Sequence, residues 1–167
     1  MSEAAEAAPV RAGEELDPTR VERRLREQFP ELPSPLAILQ FPGGHANLTY
    51  LLRFGAAGDP NARELVLRRP PQGTLAPGAH DMAREYKVLA KLWQHYDRAP
   101  RAYLYCEDVS IAGAAFFVME RRRGVVLRRS IPEQMQQHPE IGRRVSFALV
   151  DALAELHEVD YRAAGLA

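Results

Sequence analysis

The sequence predicts an α+β fold, a sheet of about five antiparallel strands with a packed helix, followed by the first helices of a second body. Three observations predict it. LAILQF, LTYLLRF and RELVLRR are strand-like runs separated only by the Gly/Asn/Pro-rich turns FPGGHAN and GAAGDPN, and short connections favour antiparallel pairing. AHDMAREYKVLAKLWQHY places Met82, Tyr86, Leu89 and Trp93 on one helical face. From Pro139 to His157 the chain is again helical, but with apolar residues on most of its circumference, the pattern of a helix that wants burial nearly all round.

The elements follow in order. Residues 1–15 are Ala/Glu-rich with no periodic apolar face and are expected to be a disordered leader. Asp17 and Pro18 are an N-cap and first-turn pair, and Val21, Leu25 and Phe29 give the following helix one apolar stripe. Pro30, Pro33 and Pro35 end it, and the three strands come next. PPQGTLAPG is a loop into the Met82 helix, after which RAYLYCEDV and AAFFVME are apolar, aromatic-rich and too short for core helices, so they extend the sheet. ERRRGVVLRR is a basic connector. The expected organisation is a leader over 1–15, a first body over 16–120, a linker over 121–130 and the truncated start of a second body over 131–167.

Composition narrows the function. Lys+Arg and Asp+Glu both number 22, a net charge of zero, so no global field exists to hold nucleic acid. The single cysteine, Cys106, excludes an internal disulfide and is expected to be a small core residue. The acidic start lacks the apolar run of a signal peptide, and no window approaches the ~18 apolar residues of a membrane span, which makes a cytoplasmic location the expectation.

The GGHAN turn joins strand to strand, whereas dinucleotide-binding and Walker-type phosphate loops join a strand to a helix. It therefore suggests a two-stranded flap whose backbone N–H groups approach phosphates, since glycine removes the side chain. The plain alternative is a hairpin turn that uses glycine for positive φ. In ELVLRR, Val66 and Arg68 share one face of a period-two strand and Leu65 and Leu67 the other, which sends Arg68 towards a cleft. A cation there needs a partner, and Glu85, on a stripe with Val88, Leu89 and Leu92, is the candidate. A glycine flap, a strand cation and an inward helix glutamate are the layout of a kinase small lobe. The alternative is that Arg68 is solvated and Glu85 pairs locally.

QFPGGHANLTYLL, LVLRRPPQGTLAPGAHDMAREYKVLAKL, FFVMERRRGVV and LVDALAELHEVD resemble the amino-terminal half of the aminoglycoside/choline-kinase-like phosphotransferase family, over residues ~36 to 167. The second of these is particularly similar to the branch linked to acyl-CoA dehydrogenases. The resemblance implies a protein-kinase-like small lobe plus the first helices of the large lobe. It implies ATP and Mg²⁺ as cofactors, and a hydroxyacyl-CoA or aminoglycoside-like alcohol as phosphoryl acceptor. By it, Gly43, Gly44, His45, Ala46 and Asn47 correspond to the nucleotide flap, Arg68 to the strand cation and Glu85 to its partner. Met119, Glu120 and Arg121 correspond to the interlobe linker, whose backbone would hydrogen-bond adenine.

The family's catalytic loop and metal-binding Asp motif should follow the helix ending at His157, and neither is found before Ala167. No catalytic residue and no metal ligand is therefore assigned in this chain, which is expected to bind nucleotide but to be inactive alone. Its partners are expected to be ATP, the alcohol substrate, and either the remainder of the large lobe or a second copy covering the apolar helix. A non-catalytic nucleotide-binding or scaffolding module and a simple α+β interaction domain are the competing readings. His45 either approaches a phosphate or is solvated. His157 and Asp160 match a family helix-end pattern but also suit a helix terminus and a turn. Arginines 121, 122, 123, 128 and 129 either bind an anionic substrate or form a solvated connector.

Overall fold

A computed structural model describes residues 7–42, 46–71, 81–127 and 131–167. The first strands run β1 (Leu36–Gln40), β2 (Leu48–Phe54) and β3 (Arg63–Arg69), and after a helix come β4 (Ala102–Cys106) and β5 (Phe116–Glu120). All pair antiparallel in the order β1-β2-β3-β5-β4. The three consecutive strands form the expected meander, whereas β4 lies outside β5 at the far edge. The helix between β3 and β4 carries the chain across one sheet face, so β4 lands beyond the position that β5 fills.

Two cores lie on opposite faces of the sheet. α1 (Pro18–Arg26) starts at Asp17, whose carboxylate accepts from the amides of Thr19 at 2.9 Å and Arg20 at 3.3 Å. Its Val21 and Leu25 are fully buried with Leu52, Phe54, Leu67 and Phe116, each large side chain contributing about 1.5–3 kcal/mol by leaving water. α2 (Met82–Leu92) starts at Asp81, which accepts from the Arg84 amide at 2.9 Å. It covers the other face, with Met82, Tyr86 and Leu89 against Phe117 and Ala102. Alternation along β3 divides its side chains accordingly: Leu67 belongs to the α1 core, and Arg68 turns to the α2 side, where Glu85 meets it. Cys106 is buried, as expected of a core residue.

Several elements differ from the sequence reading. The EDV of RAYLYCEDV leaves the strand: Asp108 caps a short helix α3 (Val109–Ala112) by accepting from the Ser110 amide at 2.9 Å, and Gly113 at φ 74° ends it. A further short helix α4 (Glu133–Gln136) precedes the last one. α5 spans Ile141–His157 rather than starting at Pro139, because Glu140 takes a left-handed φ of 57° that a right-handed helix cannot propagate.

Residues 7–15 also depart from the expectation of a disordered leader. Ala7 is buried, Ala8 exchanges two 2.8 Å backbone hydrogen bonds with Gln40, and Glu14 contacts Gln40 and Tyr50. Residues 1–6 lie outside the described residues.

A few polar contacts tie α5 and the residues after it to the rest of the described chain. The Tyr96 hydroxyl donates to the Ala152 carbonyl at 2.8 Å, Arg98 pairs with Glu155 at 2.8 and 3.0 Å, and Lys91 donates to the Gly165 carbonyl. None of its residues is buried, and Leu149 at 70% exposure, Val150 at 62% and Phe147 at 57% present the apolar face anticipated beside the carboxyl terminus. Among the described residues, no helix is long and apolar enough to cross a membrane.

Candidate functional site

β2, β3 and α2 converge on three polar side chains. Asn47 is buried immediately before β2, and its amide donates to Glu85 Oε1 at 3.0 Å. The other oxygen of the same carboxylate lies 3.2 Å from Arg68 Nε. Among the described residues that nitrogen is buried without a directed hydrogen bond, so charge rather than bond geometry holds the pair. The Arg68 and Glu85 side chains remain 35% and 32% exposed. At such exposure an ion pair contributes only about 0–1 kcal/mol to folding. Its main consequence is orientation: a guanidinium held at the sheet surface, partly open to solvent, by a carboxylate that is itself fixed by Asn47. A cation so placed suits an anionic ligand.

Of the residues assigned to nucleotide contact by resemblance, Asn47, Arg68 and Glu85 are thus brought together. Ala46 adjoins Asn47 and is exposed. Gly43, Gly44 and His45 lie outside the described residues. Met119 packs partly buried against the Phe117 core. The Glu120 amide donates to the Arg101 carbonyl at 2.8 Å, so this N–H is committed within the protein.

The Arg121 side chain reaches Glu64 on β3. Glu64 receives Arg53 at 3.0 Å, Arg123 at 2.8 Å and Arg121 in a closer contact, with Glu64 and Arg121 only 7% and 5% exposed. Burial pushes the Glu64 carboxyl up, but hydrogen bonds from Arg53 and Arg121 and the charges of Arg121 and Arg123 outweigh it and hold the group below the usual carboxylate range. This anchor for the linker went unanticipated: Glu64 is an ordinary strand glutamate in the sequence, and the register that sets Leu65 of β3 opposite Glu120 of β5 is what puts it beside the linker, while its pairing with Arg53 of β2 supplies the third arginine.

The other arginine of this run is also used internally. Arg122 donates to the carbonyls of Asp97 at 2.7 Å and Ala99 at 2.8 Å. Arg128 and Arg129 lie outside the described residues. Asp160 serves a turn, accepting from the amides of Arg162 at 2.9 Å and Ala163 at 3.0 Å, and His157 is exposed at the end of α5. An open depression of about 450 Å³ lies between Trp93, Asp97, Arg101, Tyr103, Glu120 and Arg122. Its acidic and basic groups balance, Arg101 is held over the rings of Trp93 and Tyr103, and of the residues assigned to nucleotide contact it includes only Glu120. Among the described residues no group of three or more His, Cys, Asp or Glu side chains is placed to hold a metal.

Comparison with known proteins agrees with this geometry. Residues 37–167 match the model of the phosphotransferase enzyme family. Acyl-CoA dehydrogenase family member 11 of Gallus gallus is 34% identical over 142 residues, which cover 83% of this chain and 17% of that protein. Probable acyl-CoA dehydrogenase IBR3 of Arabidopsis thaliana is 34% identical over 139 residues, 83% of this chain and 16% of that protein. A crystal structure from Ralstonia eutropha, described provisionally as an aminoglycoside phosphotransferase, superposes with a TM-score of 0.64 at 29% identity, over 91% of this chain and 41% of that one. The chain therefore spans about a sixth of the length of these curated relatives. With a five-stranded antiparallel sheet and packed helices of kinase-like fold, it belongs to the phosphotransferase enzyme family.

Proposed function

We propose that this chain is the nucleotide-binding part of a small-molecule kinase that transfers the γ-phosphoryl group of ATP to a substrate hydroxyl. The observation that carries the reading is the Asn47–Glu85–Arg68 constellation beside the β1–β2 turn. Arg68 meets phosphate oxygens with the positive charge that phosphoryl transfer requires, Glu85 keeps the guanidinium from swinging into solvent, and Asn47 ties both to the start of β2. Gly43 to Ala46 supply backbone N–H groups to the phosphates, and the backbone of Met119 to Arg121 meets the adenine.

In the transfer, the substrate oxygen bonds to the γ-phosphorus as the bond to the β–γ bridging oxygen breaks, ADP departs, and the hydroxyl proton passes to a base. The described residues contain no group of three or more His, Cys, Asp or Glu side chains placed to hold a metal, and the reading assigns the ligands of Mg²⁺ and the base to a large lobe beyond these residues. In this reading the rest of that lobe also covers the apolar face of α5. A hydroxyacyl-CoA acceptor accords with the acyl-CoA dehydrogenase relatives, and an aminoglycoside-like alcohol with the structural neighbour. The lack of a nucleic-acid partner accords with the balanced charge, and a cytoplasmic location with the single cysteine.

Calorimetric titration with ATP and Mg²⁺ tests the reading. The 167-residue chain should bind ATP without turning it over, and a protein carrying the whole large lobe should transfer phosphate. Binding without transfer in the longer protein would favour a non-catalytic nucleotide-binding or scaffolding module. Absence of binding in both would leave a simple α+β interaction domain.

A further inference from the structure

Both ends of the β1–β2 connection are tied from behind by residues 8–14, which precede the segment matching the family. Gln40, the last residue of β1, is 2% exposed. Its backbone exchanges two 2.8 Å hydrogen bonds with Ala8, its side-chain carbonyl accepts from the Arg11 amide at 2.9 Å, and its side-chain amide donates to Glu14 Oε2 at 2.6 Å. Directly opposite Gln40 in register stands Tyr50 of β2, whose hydroxyl donates to the Glu14 carbonyl at 2.7 Å. The same hydroxyl accepts from Arg69 Nε at 3.1 Å and Nη2 at 2.9 Å, and Nη2 also reaches the Glu14 carbonyl at 3.0 Å.

Arg69 is completely buried at the end of β3, where its register partner is Leu48, the residue after Asn47. Among the described residues its Nη1 has no hydrogen-bond partner. A buried guanidinium with one nitrogen unsatisfied depends on its other contacts, and the hydrogen bonds it makes among the described residues run to Tyr50 and Glu14. Glu14 is held in turn by Gln40 and by Arg11, whose Nε donates to it at 2.7 Å.

We propose that residues 8–14 form a strap that positions the paired ends of β1 and β2, and through them Asn47 against Glu85, with Glu14, Gln40, Tyr50 and Arg69 as positioning residues. The nucleotide consequence rests on the function proposed above. β1 is an edge strand, whose outward N–H and C=O groups would otherwise be unpaired where it enters the connection, and Ala8 closes two of them. The strap lies on the sheet face opposite Arg68, because Tyr50 and Arg69 alternate with Thr49 and Arg68 along their strands. It therefore acts by placement rather than by touching a ligand on the Arg68 face.

The test uses three forms of the chain: native, Glu14→Ala and Glu14→Gln. Glu14 is partly exposed, so either substitution should fold, and glutamine keeps an acceptor for the Gln40 amide. Hydrogen exchange at the amides of Gln40, Leu48 and Tyr50 should quicken about five- to tenfold in Glu14→Ala, as expected for loss of one or two side-chain hydrogen bonds. Exchange at Phe54, at the far end of β2, should not change, and Glu14→Gln should restore most of the protection. ATP affinity should fall with the protection and return with it.

Unchanged exchange at Gln40 and Tyr50 in Glu14→Ala, or equal loss in Glu14→Gln, overturns the strap. Lost protection with unaltered ATP affinity overturns its role at Asn47. If the native chain binds no ATP, the nucleotide reading fails, and the exchange data alone decide whether the strap sets the strand ends.

Discussion

Replacing Glu64 by alanine should be among the most damaging single changes in the chain, although Glu64 is not in contact with the proposed phosphate position. It is 7% exposed and receives three arginines, of which Arg121 is 5% exposed, Arg53 24% and Arg123 67%. On loss of the carboxylate, Arg123 can turn to water and Arg53 partly so, but the Arg121 side chain, 5% exposed, loses a buried opposite charge. Breaking a buried pair by removing one partner costs about 3–5 kcal/mol, and escape of two of the three cations puts the expected loss at the lower end, about 3 kcal/mol. Urea unfolding at pH 7, followed by the fluorescence of the single tryptophan, Trp93, measures it. The pH dependence gives an independent check. The folded-state pKa of Glu64 lies below its ordinary value of 4.5, so the group's contribution is fully present above that value and is lost as pH falls through the folded-state pKa. Glu64→Gln should remove this acid-side loss. A destabilisation under about 1 kcal/mol, typical of exposed pairs, would refute the reasoning by showing that Arg121 rehydrates at little cost.

Other changes should separate binding from folding. Arg68→Ala and Glu85→Ala should each weaken ATP binding while altering urea stability little, and the double mutant should lose less than the sum; strict additivity in the calorimetric cycle would mean that the two do not act together. Gly44→Val should reduce ATP affinity more than it reduces the unfolding midpoint, and a folded variant with native affinity would leave only the hairpin-turn account of this glycine. Because α5 has no buried residue, Leu149→Glu combined with Leu153→Glu should preserve the melting temperature of the 167-residue chain while shifting sizing chromatography towards monomer. An unchanged elution profile would show that the face is not what drives association.

Where alternation or periodicity dictates burial, the sequence was legible. LTYLLRF and RELVLRR became β2 and β3 at the expected positions, and the same alternation that buries Leu67 turns Arg68 to Glu85. Met82, Tyr86 and Leu89 pack as the helical spacing requires. What escaped was set by pairing between distant segments. No local pattern says that β5 inserts between β3 and β4, because the choice depends on where α2 crosses the sheet. Residues 7–15 lack periodicity, yet Ala8 and Glu14 find partners on β1 and β2 through backbone groups that composition does not reveal. The basic run after β5 looked like either an anion site or a solvated connector; Arg121 and Arg123 instead meet Glu64, and Arg122 meets backbone carbonyls. Asn47 was placed in the flap by resemblance, but its bond to Glu85 depends on α2 lying over that end of the sheet.

The central claim, that the Asn47–Glu85–Arg68 constellation receives the phosphates of a nucleotide, is tested most directly by mapping where ATP binds. Amide spectra of the isotopically labelled chain, titrated with a non-hydrolysable ATP analogue and Mg²⁺, should show their largest changes at Ala46, Asn47, Arg68 and Glu85 and along Met119–Arg121. Arg68→Ala should diminish those changes at the same nucleotide concentration. Changes confined to Trp93, Arg101 and Tyr103, around the open depression, with none at Asn47 or Arg68, would contradict the account.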